Sequence, residues 1–373
     1  MKLLFASDSF KGTLSSEKTI ELLTKAAHDV FGECECSGVP VADGGEGTVE
    51  AVVKARGGRL VTVPVHGPLM ENQFASYGAL SGTEAVLEMA AASGLPLVPE
   101  DQRNPLLATT YGTGEMVKAA LDTGYTDLSI AIGGSATNDG GMGFAAALGV
   151  KFFDADGNEL IGRGEDLAKV VRMDCSGLDP RVKDAKITVM CDVTNPLTGP
   201  DGATYTFGAQ KGATPEMQAA LEDGMQNYRR LLIEEFGIDP NETPGTGAAG
   251  GLGAALLLFC GAEMKSGINT VLDLIGFDDR LDGVDLVVTG EGRTDWQSAF
   301  GKVLQGVGER CKAKGIPAVA LCGSLGKDYE KIYDCGIQSL LTTVDGCIPL
   351  SEAMERAEEL YYRGAVRLFR FFL

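Results

Sequence analysis

One arrangement of apolar and polar positions recurs along the chain. A short apolar run of strand length stops abruptly in a loop rich in Gly, Asp and Glu, and helical periodicity follows. That alternation predicts the strand-helix units of a parallel sheet. Residues 2–7 run into Asp8-Ser9-Phe10-Lys11-Gly12, and residues 16–31 then carry apolar positions at helical spacing. Residues 37–41 run into Ala42-Asp43-Gly44-Gly45-Glu46-Gly47-Thr48, followed by a short helix. From 60 to about 90 the period changes to two: segments 60–65, 73–80 and 85–89, divided by turn residues, predict an antiparallel meander.

Further strands are predicted at 128–132, before Gly133-Gly134-Ser135-Ala136-Thr137-Asn138-Asp139-Gly140-Gly141, and at 187–191, before Asp192. A helix is predicted over 215–236. The strand-then-glycine pattern returns at 284–289, before Gly290-Glu291-Gly292-Arg293-Thr294-Asp295, and at 318–322, before Gly323. Residues 337–344 and a helix from Ser351 onward complete the series. The expected fold is α/β: a discontinuous, doubly wound domain from residues 1–59 and 270–373, with a mixed α/β domain, 60–269, inserted between. A length of 373 residues supports two cores.

Composition narrows the partners. Against 32 basic residues stand 52 acidic ones, a net charge of −20, which opposes binding to nucleic acid or to an anionic membrane surface. The 51 glycines, without a collagen-like period, imply many tight turns and close backbone approaches. Nine cysteines with no CxxC pair suit a reducing compartment, and two histidines, His28 and His66, leave a Cys/His zinc cluster short of ligands. The N-terminal apolar run is too short for a signal-peptide core, and no apolar stretch has the length of a bilayer span. A cytoplasmic protein is expected, monomeric or homodimeric.

In open α/β sheets ligands bind beyond the carboxyl ends of the strands, where helix N-termini and loop amides point. Several acid- and glycine-rich loops start at such ends here. Clustered glycines present N–H groups to phosphate, neighbouring carboxylates hold Mg²⁺, and phosphoryl transfer needs mainly positioning and charge neutralisation. Each residue also has a plainer reading. Asp8 with Lys11, and Asp43 with Glu46, are either turn formers or a carboxylate-cation set over strand ends. Asp192 is an Asx-turn former with Asn195, or a base or metal ligand. Lys211 is an exposed turn residue or neutralises phosphate. Arg293 is an ion-pair partner of its acidic neighbours or a fork for a substrate carboxylate. Lys302 reads as a surface residue of a first helical turn.

No GxxxxGK[ST], HRD or DFG occurs, which excludes the P-loop and protein-kinase folds. A GxGxxG at Gly245, Gly247 and Gly250 lacks a preceding strand. Gly247, Gly250 and Gly251 therefore present phosphate with the N-terminus of the apolar helix that follows, or simply allow close packing.

Taken in order, four loops resemble those of the bacterial type I glycerate kinases. They are Asp8-Ser9-Phe10-Lys11-Gly12, Val41-Ala42-Asp43-Gly44-Gly45-Glu46-Gly47-Thr48, the segment Gly133 to Gly141, and Gly290-Glu291-Gly292-Arg293-Thr294-Asp295. Asn195-Pro196-Leu197, Gln210-Lys211-Gly212-Ala213 and the glycines from Gly247 to Gly253 extend the likeness over nearly the whole chain. The resemblance implies a Rossmann-like domain with an inserted α/β domain, and phosphorylation of D-glycerate by ATP with Mg²⁺, in bacterial members usually to 2-phosphoglycerate.

The family pattern does not fix a base, so roles rest on the physical reading. Asp192 is expected as base or metal ligand. Asp8, Asp43, Glu291 and Asp295 are expected as metal or substrate carboxylates, with Ser9 and Glu46 beside the substrate. Lys11 and Arg293 would grip the substrate carboxylate or a phosphate. Gly133, Gly134, Ser135, Asn138, Lys211, Gly247, Gly250 and Gly251 would surround the nucleotide phosphates. Transfer to give 3-phosphoglycerate, an NAD(P)-dependent reductase of a small hydroxy or keto acid, and a non-catalytic small-ligand sensor are the alternatives.

Overall fold

Apolar runs from the two ends of the chain meet in one parallel sheet. Its strands stand in the order Ile337–Thr342, Ala318–Cys322, Leu286–Thr289, Lys2–Phe5, Glu35–Gly38. Every residue of Leu286–Thr289 and Ala318–Cys322 is buried, as expected of strands covered on both faces. Numbered along the chain within this sheet, the order reads 2-1-3-4-5. The winding therefore reverses between Lys2–Phe5 and Leu286–Thr289. The computed structural model describes residues 1–373. This sheet belongs to a unit formed by Met1–Asp43, Lys54–Arg56 and Gly267–Leu373; Gly44–Val53 and Gly57–Ser266 form a second. The chain passes between the two units after Asp43, around Lys54–Arg56 and after Ser266, whereas the expected domain boundaries are Arg59 and Asn269.

In the first unit the helix Ser16–Phe31 starts where the Ser15 hydroxyl accepts from Lys18 N and stops at Gly32, whose φ of 72° suits glycine. Thr19, Leu22, Leu23, Ala26 and Ala27 form its buried face. It packs with Tyr361, Ala365, Leu368 and Phe369 of Ala357–Arg370 against Leu3, Phe5 and Leu286. The single helix expected from Ser351 is two, Leu350–Glu355 and Ala357–Arg370, because Arg356 leaves helical geometry at φ −98° and ψ 21°.

The second unit holds a six-stranded mixed sheet in the order Glu263–Lys265, Lys186–Met190, Asp127–Ala131, Glu84–Glu88, Asn72–Ala79, Arg59–His66. The first four strands are parallel and the last three form the expected meander. The strand Glu263–Lys265 was not expected: three residues between the buried helix Leu252–Cys260 and Gly267–Leu274 carry no readable period. The helix Pro215–Phe236 occupies its expected span, capped by Thr214 and ended by Gly237 in the left-handed region.

Candidate active site

The winding reversal of the first unit carries a cavity of about 620 Å³ lined by Asp8, Asp43 and Glu291, with Lys11, Arg293 and Lys302 among its walls. The backbone brings these groups together. Asp8 N donates to Gly290 O at 3.0 Å, tying the ends of the first and third strands. A Cβ on Gly290 would stand 2.1 Å from Leu321 O, and one on Gly323 would stand 2.4 Å from Gly292 O. Only glycine lets the loops after Leu286–Thr289 and Ala318–Cys322 approach this closely. Phe10 is held edge-on against the buried Tyr361 ring, with centroids 5.2 Å apart.

Three carboxylates in one cavity repel unless something positive joins them. Burial, and then the neighbouring Asp43, push the Asp8 carboxyl up to about 6, even though it accepts from Ser9 N at 2.6 Å. Ser9 is thus engaged with Asp8, its hydroxyl 3.4 Å from the same oxygen. Burial also raises Glu291, against the opposing pull of Ser298, Lys302 and Thr294, and its Oε1 is buried without a hydrogen-bond partner. Lys302, read from sequence as a surface residue, lines the cavity; its place immediately before the helix Val303–Lys314 turns it there. The signal that could have found it is the pair Gly301-Lys302 following the Glu291 loop.

Both readings of Arg293 apply. Its Nε lies 3.6 Å from Asp295 Oδ2, while 70% of its side chain is exposed and it lines the cavity. Asp295 has a different task from the one expected. Its carboxylate accepts from Gln297 N at 3.0 Å and caps the short helix Trp296–Ala299, with Ser298 reciprocating. A carboxylate so engaged orients the loop and the arginine.

The remaining expected residues lie in the second unit. Asp192 and Glu46 are exposed there. Gly133 and Gly134 are exposed beyond Asp127–Ala131, Gly134 at φ 75°. Glu88, which sequence reasoning missed, accepts from Val49 N at 2.8 Å and so caps the helix Thr48–Arg56 from a strand end; burial pushes its carboxyl up to about 7. Of the two readings of Gly247, Gly250 and Gly251, the geometry favours close packing. All three are buried, and a Cβ on Gly247 or Gly250 would stand 2.0 Å from Pro196 O or Thr137 O. The Gly247 and Gly251 amides donate to Asn195 O and Gly247 O, and Ala254 N, in the first turn of Leu252–Cys260, donates to Thr246 O.

Lys211 is likewise not an exposed turn residue. It is buried, with Nζ donating to Thr137 O at 2.6 Å and Ser135 Oγ at 2.8 Å, and burial pulls its pKa down to about 7. Asn138 is buried beside it and donates to Thr204 Oγ1 at 3.1 Å. Asp139, not singled out from sequence, accepts from Thr110 N, Thr110 Oγ1, Gly141 N and Gly143 N at 2.7–3.2 Å. Ser135, Asn138, Asp139 and Lys211 thus brace the loop from inside and leave the Gly133 and Gly134 amides at the surface.

Residues 3–373 match the Glycerate kinase family. The chain belongs to that family. It is 45% identical to the glycerate kinase of Bacillus subtilis (strain 168), over 98% of this chain and 96% of the relative. It is 44% identical to the glycerate 2-kinase of Escherichia coli (strain K12), with the same two coverages. A solved structure described as a glycerate kinase 2 from Salmonella typhimurium LT2 superposes with a TM-score of 0.90 at 42% identity, covering 100% of this chain and 98% of that one. The chain is accordingly an enzyme of the kinase class, and no helix in it is long and apolar enough to cross a membrane.

Proposed function

We propose that this enzyme transfers a phosphoryl group from ATP to D-glycerate and that the product is 2-phosphoglycerate. The observation that carries the reading is the convergence of Asp8, Asp43 and Glu291 with Lys11, Arg293 and Lys302 in one cavity at the winding reversal of the first unit. That unit we read as Rossmann-like and doubly wound, because its 2-1-3-4-5 order is one of the two orders that place ligands at such a reversal. A volume of about 620 Å³ suits small polar molecules. The choice of hydroxyl follows the relative named for 2-phosphorylation, 44% identical over nearly the full length.

In this mechanism Asp8 is the base. Its carboxyl, at about 6, is mostly ionised at neutral pH yet basic enough to take the proton of a substrate hydroxyl. Asp192 is exposed in the second unit, away from the residues that line this cavity. The Arg293 fork suits the glycerate carboxylate, and Lys11 and Lys302 suit the transferring phosphoryl oxygens. Mg²⁺ fits the residues present, since the partnerless Glu291 Oε1 and the mutual repulsion of Asp8 and Asp43 both call for a divalent cation. Asp43 and Glu291 would hold it, and bound there it would neutralise charge on the phosphates.

Two coupled assays test the reading. Pyruvate kinase and lactate dehydrogenase report ADP formed from ATP, Mg²⁺ and D-glycerate; no ADP above the rate without glycerate would overturn the kinase assignment. Enolase alone, added to the reaction, reports 2-phosphoglycerate as phosphoenolpyruvate absorbance. Signal that appears only when phosphoglycerate mutase is also added would make the product 3-phosphoglycerate.

A further inference from the structure

The sheet end opposite Asp8 holds a second cluster of chemically capable side chains. Lys2 pairs with Glu35 at the start of the first two strands, while Asp8 lies beyond their far ends. At the near end the helix Ser16–Phe31 closes at Gly32, and the chain turns directly into the edge strand Glu35–Gly38. This turn sets His28, in the last helical turn, against Cys34 and Cys36, which as alternate residues face the same side. Cys34 Sγ lies 3.6 Å from Cys36 Sγ and 3.6 Å from His28 Nδ1, and all three donor atoms fall within 4.8 Å of one another.

The two 3.6 Å spacings are close to those a tetrahedral metal imposes, and the third pair, within 4.8 Å, needs only a small side-chain adjustment. Bonds of about 2.3 Å to sulfur and 2.0–2.1 Å to nitrogen at tetrahedral angles separate two sulfurs by about 3.8 Å and sulfur from nitrogen by about 3.6 Å. The side chains are half-buried at the two cysteines and exposed at the histidine, so an ion can enter and water can complete the shell. Counting histidines along the sequence argued against a Cys/His site because it sought a full set of four. Three protein ligands suffice where the fourth position is left to solvent. His28 Nδ1 also lies 3.3 Å from Gly32 O, a long contact that a metal bond would replace.

We propose that His28, Cys34 and Cys36 form a binding site for a thiophilic d¹⁰ cation, with Zn²⁺ as its divalent representative, that pins the edge strand Glu35–Gly38 to the end of the helix Ser16–Phe31. Binding leaves both sulfurs as thiolates and releases their two protons to solvent. No electron is exchanged. The role is structural, because the site stands at the end of the sheet remote from Asp8 and shares no residue with the cavity.

The test uses the full chain, reduced and stripped of metal, titrated with Co²⁺ as the spectroscopic probe. One equivalent is expected to produce thiolate-to-cobalt charge-transfer absorption in the near ultraviolet together with intense tetrahedral d–d bands, both bleached by Zn²⁺. The double variant Cys34→Ser/Cys36→Ser should lose the charge-transfer absorption while keeping the wild-type circular dichroism. His28→Gln should weaken Co²⁺ binding roughly 100-fold or more, since even outer-shell partners are worth about 10- to 100-fold. Zn²⁺ should raise the wild-type melting temperature and leave that of the double variant unmoved. Absence of the bands, or bands that persist in the double variant, overturns the site. So does a Cys34–Cys36 disulfide found by mass spectrometry in freshly isolated protein with no metal bound.

Discussion

Asp8 and Lys211 show how burial sets opposite pH dependences in one chain. Asp8, raised to about 6 by burial and by Asp43, binds its proton more tightly folded than unfolded. Its ionisation therefore costs stability. The cost is absent below pH 4, grows as pH rises to 6, and stands above that at up to about 3 kcal/mol for a shift of this size. Asp8→Asn should raise the urea midpoint at pH 7 and flatten the loss of stability between pH 4 and 6. The same variant should lower turnover by about 10²- to 10⁴-fold if Asp8 is the base, and should abolish the fall in kcat/KM expected of the wild type below pH 6. Near-normal turnover with an unchanged acid limb would remove Asp8 from that role. Lys211, lowered to about 7 by burial, works in the other direction. Between pH 7 and about 10 the unfolded chain keeps the proton and the folded chain has shed it, so this group adds stability as pH rises. Urea titrations at pH 7 and pH 9 should show a smaller alkaline gain in Lys211→Met than in the wild type. Lys211→Met should also lose stability at pH 9, because Thr137 O and Ser135 Oγ are left without their donor.

At the scale of elements, glycines decide which loops are rigid. Gly250 has φ 68° and a Cβ there would stand 2.0 Å from Thr137 O, whereas Gly261, at φ 64°, ends the helix Leu252–Cys260 with nothing within 4 Å. Gly261→Ala should cost about 1 kcal/mol, the strain of a left-handed backbone alone. Gly250→Ala should cost about 4 kcal/mol or more, since two backbone segments must part. Equal losses in chemical denaturation would mean that the loop yields. This contrast also shows what the sequence could and could not convey. The helices Ser16–Phe31 and Pro215–Phe236 were legible because caps, glycine stops and apolar spacing agree within each segment. Asp8, Asp43 and Glu291 were legible because a strand end followed by an acid and glycines is a local pattern. The glycines from Gly247 to Gly251 carry an equally local pattern, but their use depends on the carbonyls of Pro196 and Thr137, distant in sequence. Lys211 failed for the same reason: flanking glycines suggest a turn, and only the packed loop shows that the ammonium is enclosed. Asp295 was read by charge, while its Gln297 and Ser298 bonds give it a cap.

For the whole molecule, the order of segments along the chain separates two kinds of unit. The second closes within one continuous stretch: its six-stranded sheet runs from Arg59 to Lys265, and its main hydrophobic cluster draws on residues from Val65 to Ala262. A core of that span exceeds what a single domain needs for independent stability. The first unit cannot close from either end alone. Lys2–Phe5 needs Leu286–Thr289 and Glu35–Gly38 as neighbours, and the helix Ser16–Phe31 buries its apolar face against Ala357–Arg370. A fragment of residues 44–266 should therefore fold, with native-like near-ultraviolet circular dichroism and one cooperative urea transition. Residues 1–43 alone should remain unfolded, since one helix and two short strands leave Leu3, Phe5 and Leu23 without the partners that exclude water. Mixing 1–43 with 267–373 should restore part of the first unit's helical signal. A 44–266 fragment that melts without cooperativity would show that the second unit depends on the first, and the division at Asp43 and Ser266 would then mark packing density rather than independent folding.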